Sequence, residues 1–127
     1  MNTESVSKMP GLAYSPIKLD FAAMLVVYET EDGFWRGFAA PYGETTEGNT
    51  KEEALLKIRE LTDAYFDVAK KYGYPSHLVN NILSDQADRD VYTAIVATKA
   101  YMDKLHSREG VAADIGPYYA EAYRVRS

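Results

Sequence analysis

The chain has 127 residues, no cysteine, two histidines and a formal net charge of −5. That length suits one domain with its own core. The missing cysteines exclude a disulfide scaffold, a thiolate-ligated metal centre and a thiol nucleophile, and the acidic balance makes a nucleic-acid partner held by charge alone an unfavourable reading.

Residues 1–17, with Pro10, Gly11 and Pro16, read as a flexible arm. No apolar h-region follows the first eight residues, so no secretory signal is expected. The longest apolar run, residues 21–28, falls far short of the ~20 residues a spanning helix needs. The expected setting is cytoplasmic, bacterial or phage-borne, with no membrane partner.

Residues 18–127 read as a single α+β domain. Residues 18–29 are continuously apolar in their second half, which predicts a strand covered on both faces. Asp32-Gly33 signals a hairpin, because glycine accepts the positive φ of the primed turns. Residues 34–40 return as a second strand, ended by Pro41. Residues 43–47 make a third, short strand.

Thr50 and Glu53 form a capping box, predicting a helix that starts after Thr50. Ala54, Ile58, Leu61, Tyr65, Val68 and Tyr72 recur at helical spacing and are expected to face the core, flanked by Leu55 and Ala69. Gly73 and Pro75 end the helix. Residues 76–84 favour a short helix. Residues 85–107 read as one long helix, with Asp85, Asp88 and Asp90 at its start and a stripe through Ala87, Val91, Ala94, Ile95, Thr98, Met102 and Leu105. Gly110, Gly116 and Pro117 break the chain. The tail from 118 to 125 fits a strand with Tyr119, Glu121, Tyr123 and Val125 on one side. The expected architecture is a three-stranded antiparallel sheet, a long amphipathic helix, a second helical segment and this C-terminal strand.

No catalytic set is evident. Acids at the hairpin tip have a backbone reason to be there, and the Asp85–Asp88–Asp90 offsets of 3 and 2 do not fit a calcium loop. His77 and His106 stand alone. No Walker, G-x-G-x-x-G or G-x-S-x-G sequence occurs. No catalytic residue, metal ligand or cofactor is therefore assigned, and binding is favoured over catalysis.

The strand, the Glu31-Asp32-Gly33-Phe34 hairpin, the second strand ending in Ala40-Pro41, and the helix opened by Gly48-Asn49-Thr50-Lys51-Glu52-Glu53-Ala54 together resemble the HicB-like antitoxin family over residues 19–72. The family's Gly-x-Thr-x-x-Glu-Ala segment is matched by Gly48, Thr50, Glu53 and Ala54. Pro41-Tyr42-Gly43-Glu44 stands where the family has Pro-x-x-Pro-Gly. The resemblance implies a partial RNase H-like core over 18–73, followed by an extension over 74–127. It also implies a non-enzymatic role, the masking of a protein partner such as a small basic toxin or a host factor.

Trp35, Arg36, Phe38 and Tyr42 are the candidate partner-binding residues. An open edge on a short sheet leads us to expect a homodimer or higher homo-oligomer. The alternative function is a nucleotide-sequestering protein, a phage-encoded sponge against host defence signalling. Its ligand would meet the aromatic and basic tail of Tyr118, Tyr119, Tyr123, Arg124 and Arg126.

Overall fold

The computed structural model describes residues 23–40, 42–73, 83–106, 112–115 and 117–124. The expected arm, most of the 76–84 segment, His77 and Arg126 lie outside the described residues. The elements in chain order are β1 (Ala23–Glu29), β2 (Trp35–Ala40), β3 (Glu44–Gly48), α1 (Lys51–Lys71), α2 (Gln86–Val96), α3 (Lys99–His106), β4 (Ala112–Ile115) and β5 (Tyr118–Tyr123). The fold is α+β, with the strands-then-long-helix order read from the sequence. The sheet has five strands rather than three, in the order β3-β2-β1-β5-β4. Every neighbouring pair is antiparallel.

β1 is the central strand, buried at every position but Glu29. Its apolar run is continuous because helices lie on both sides of it. Leu25, Val27 and Ala39 point to the face under α1, with Ile58 and Phe66. Met24, Val26 and Phe38 point to the opposite face, under Ile95, Tyr101 and Leu105 of α2 and α3. Each of these larger side chains contributes about 1.5–3 kcal/mol by leaving water.

The β1–β2 turn is wider than the expected two-residue form. The amide of Thr30 donates to the carbonyl of Phe34 at 2.7 Å, and the amide of Gly33 donates to the carbonyl of Thr30 at 3.0 Å. Gly33 has φ of 89°. This is a turn closed by a left-handed glycine, a common three-residue hairpin.

α1 begins as predicted. Thr50 is its N-cap, and its hydroxyl accepts from the amide of Glu53 at 3.0 Å. The reciprocal bond differs by one residue, since Glu53 Oε1 accepts from Asn49 at 2.6 Å. Gly73, with φ of 77°, follows the last turn.

The buried face of α1 is rotated from the expected one. Ala54, Ile58, Thr62, Phe66 and Ala69 are buried, whereas Leu61, Val68 and Tyr72 are exposed. The residues predicted as one helix over 85–107 form two. Thr98 bends the chain between them, its hydroxyl donating to the Ala94 carbonyl at 3.0 Å while its own carbonyl receives the Met102 amide. β4 was not expected. It pairs antiparallel with β5, Ile115 opposite Tyr118, and carries one edge of the sheet.

Gly48 sits where β3 turns directly into α1. A Cβ there would lie 2.7 Å from the backbone nitrogen of Ala54. Gly48→Ala should therefore cost about 2–3 kcal/mol, because backbone rather than a flexible side chain must move. Urea denaturation of the two proteins measures this; a loss under about 0.5 kcal/mol would show that the junction is loose.

Candidate protein-binding surface

Alternation along β2 places Arg36 and Phe38 on the same face of the sheet, under α2. Phe38 is fully buried there. Arg36 meets an acid that the sequence reading had assigned only to a helix start. Asp88 is fully buried, and its Oδ1 accepts from the Arg36 Nε at 3.0 Å while its Oδ2 accepts from Nη2 at 2.6 Å. The Tyr28 hydroxyl donates to the same Oδ1 at 2.7 Å.

Tyr28 and Arg36 are cross-strand partners on β1 and β2, so the two donors arrive side by side. Asp88 is held from behind by its own helix start. Asp85 is the N-cap of α2 and accepts from the Asp88 amide at 3.1 Å. The helix dipole also favours a carboxylate at this end. The hydrogen bond to Asp88 raises the Arg36 pKa, and burial followed by the Asp88 bond raises that of Tyr28. Neither group exchanges a proton near neutral pH, so the trio is a fastener rather than an acid–base pair.

The four residues expected to form a partner face are thus not a face. Phe38 is core and Tyr42 is buried, its ring 5.3 Å from Tyr65 and 6.4 Å from Phe66. Arg36 is committed to Asp88, with its Nη1 3.4 Å from Glu47 at the rim. Trp35 is half-buried on the opposite face, against the α1 layer. The sheet surface is covered on both sides, because residues 83–106 supply a second helical layer.

The tail does not gather into a patch either. Tyr118 packs on the α2–α3 face, and Tyr119 and Tyr123 on the α1 face. The Tyr123 hydroxyl donates to Asp63 at 2.7 Å and that of Tyr119 to Glu121 at 2.9 Å. Burial, then the Glu121 bond, pushes the Tyr119 pKa up to about 12. Arg59 grips Glu121 with two bonds of 2.7 and 2.6 Å, and Lys51 lies 3.1 Å from Asp114 and 4.5 Å above the Tyr119 ring. Arg124 donates to the Leu105 carbonyl at 2.9 Å. These side chains tie α1 and α3 to β5.

What does stand free is the β1–β2 tip. Glu29, Glu31, Asp32 and Phe34 are all exposed, Phe34 to 46%. The Thr30 hydroxyl accepts from the backbone amide of Phe34 at 3.2 Å, which holds the main chain at the base of the tip. The tip thus presents an exposed aromatic side chain on a hairpin that also carries three exposed carboxylates. The sequence places the acids in the turn and Phe34 at the start of the second strand; the strand begins one residue later, at Trp35.

No family model, curated protein or solved structure matches this chain. Among the described residues no three His, Asp or Glu side chains converge as a metal-binding group, and no helix is long and apolar enough to cross a membrane.

One further acid differs from the rest. Glu44, on β3, has a buried Oε1 with no hydrogen-bond partner, and burial pushes its pKa up from 4.5 to about 7. The folded protein then holds this proton more tightly than the unfolded chain does. The contribution of Glu44 to stability is full below pH 4.5 and is lost as pH rises through 7. Glu44→Gln should match the wild type at pH 4.5 and exceed it above pH 8 by about 1–2 kcal/mol, allowing for solvent screening on an edge strand. Thermal melts at the two pH values test this, and a variant no more stable at alkaline pH would refute the burial of that carboxyl.

Removing Asp88 leaves Arg36 and Tyr28 facing an empty, water-poor site. Asp88→Ala should cost about 3–5 kcal/mol, whereas the paired change Arg36→Met with Asp88→Leu should recover most of it. A double-mutant cycle in urea reads the coupling, and additive losses would contradict it.

Proposed function

We propose that this protein is a non-enzymatic binding module that masks a basic protein partner, in the manner of an antitoxin or inhibitor, and that the β1–β2 tip is where the partner docks. The observation that carries this is Phe34, 46% exposed, on the same hairpin tip as the exposed Glu29, Glu31 and Asp32. Aromatic side chains serve as binding anchors because they bury a large area while losing only two side-chain torsions. The surrounding carboxylates would steer a cationic partner and add salt dependence. The net charge of −5 acts in the same direction at longer range.

Two further features support the reading. Residues 23–73 run strand, strand, strand, capped helix, the order that the HicB-like resemblance implies. The buried Arg36–Asp88–Tyr28 trio is saturated with internal bonds, which suits a rigid scaffold better than a reacting centre.

Affinity purification of the tagged protein from its native cells should recover a basic partner. Phe34→Ala should weaken that capture by roughly 30-fold or more, the scale of an interface anchor. Glu31→Lys with Asp32→Lys should weaken it most at low salt. Capture unchanged in both variants, with helix content intact, would retire the proposal.

A further inference from the structure

Glu44 carries an oxygen that nothing in the fold answers. Its Oε1 is buried and accepts no hydrogen bond, although the residue as a whole is only half-buried. A buried acceptor without a donor calls for an explanation, because its lost hydration is not replaced. Burial alone raises the proton affinity of this carboxyl, so among the described residues no cation stands close enough to compensate it.

The register fixes where this carboxyl lies. Glu44 is opposite Ala39, which belongs to the core under α1, so Glu44 points to the α1 side of the sheet. Two contacts bracket its level along the helix. Thr46 and Ile58 both lie against Gly37, and the Tyr42 ring lies against Tyr65. Glu44 falls between Thr46 and Tyr42 in the chain, as Leu61 falls between Ile58 and Tyr65 on the helix. Lys57 marks the flank of α1 that overhangs β3, since it donates to the carbonyl of Glu47 at 3.0 Å. Leu61 and Val68 follow Lys57 by 4 and 11 residues and share that flank. Leu61 is 40% exposed and Val68 46%. The carboxyl therefore sits at the foot of an open apolar strip, with the Tyr42 and Tyr65 rings beyond it. The other titratable side chain on this flank is Lys57, already 3.6 Å from Glu53, while Glu47 points to the opposite face with Arg36.

We propose that this is a binding site for a small protonated alkylamine, whose ammonium group donates to the Glu44 carboxylate while its carbon stem lies along Leu61 and Val68. An ammonium supplies the missing donor in a charge-assisted bond, the strong kind, and neighbouring tyrosine rings attract a cation further. The last torsion of a glutamate is broad, so the carboxyl turns its buried oxygen toward the open side at little cost. Size selects the occupant. From Leu61 to Val68 the strip is ~10 Å long and about as wide, far below the ~800 Å² per partner of a stable protein interface. It covers one short stem. The hairpin tip lies at the other end of β2, so this site and the docking of a basic partner stand or fall separately.

Titration of the full chain with n-butylammonium chloride at pH 8, followed by amide NMR, tests this. Saturable shifts should centre on Gly43, Glu44 and Leu61, with a dissociation constant of about 1 mM or below. Affinity should fall about 30-fold at pH 5.5, because a carboxyl with a pKa of about 7 is then almost wholly protonated. Glu44→Gln keeps the shape and should lower the affinity at least 10-fold and remove its pH dependence. Glu60→Gln, an equal loss of charge on the outward face of α1, should bind as the wild type does. No saturable shift at pH 8, shifts reproduced by potassium chloride, or binding unaffected by Glu44→Gln would each overturn the proposal. A lysine-containing peptide that moves these signals where butylammonium does not would overturn it too, by making the flank part of a protein interface.

Discussion

One buried carboxylate fastens the second helical layer of this fold to its sheet. Asp88 belongs to the second half and its partners Tyr28 and Arg36 to the first, yet all three meet with no water between them. Such a contact adds little net stability, because desolvation of both charges offsets most of their attraction. Its consequence is specificity. If β2 slipped by one residue, Arg36 would move to the α1 face and Asp88 would be stranded. If α2 slid along the sheet, the N-terminal turn that holds Asp88 would leave the guanidinium unpaired. The ion pair thus fixes both the strand register and the seat of the second helical layer.

That second layer determines which surfaces remain for function. Among the described residues, with α1 on one side and α2 and α3 on the other, the sheet presents its two edges and the ends of its strands. Aromatic residues that look available from composition are consumed in holding the layers. Tyr101 donates to the carbonyl of Tyr118, Tyr119 and Tyr123 reach carboxylates, and Tyr42 stacks beneath α1. Tyr28, Tyr101, Tyr119 and Tyr123 each bury a ring while the hydroxyl finds a partner.

Much of the fold was legible because its signals are local. The Thr50 cap, the glycines at 33 and 73, the two-sided burial of β1 and the parity of β2 and β5 each depend on a few adjacent residues. The face of α1 was not, and the reason is physical. Leu61, Val68 and Tyr72 make as regular a stripe as Ala54, Ile58, Phe66 and Ala69, and periodicity cannot say which of two stripes meets the sheet. The presence of Thr62 on the buried one hides it further. β4 escaped notice because four residues between breakers give no period. The candidate site failed for a related reason. Alternation correctly put Arg36 and Phe38 on one face, but only tertiary packing reveals that α2 covers it. An arginine on an apolar face was the available clue. It calls for a buried acid, and Asp88 lies three and seven residues before Val91 and Ile95 on the buried side of α2.

The central strand has a consequence for how the protein comes into being. One neighbour of β1 arrives within a few residues of it, but the other is β5, with Tyr28 paired to Tyr118 and Ala23 to Tyr123. Ninety or more residues separate those partners in the chain. At ~5–20 residues per second on the ribosome, one side of β1 waits about 5–20 s for its mate. Until then a half-built sheet displays an apolar strand edge and an uncovered face. Such long-range closure slows folding, and it makes the nascent chain a natural client for chaperones, with the last strand acting as the latch that ends that exposure.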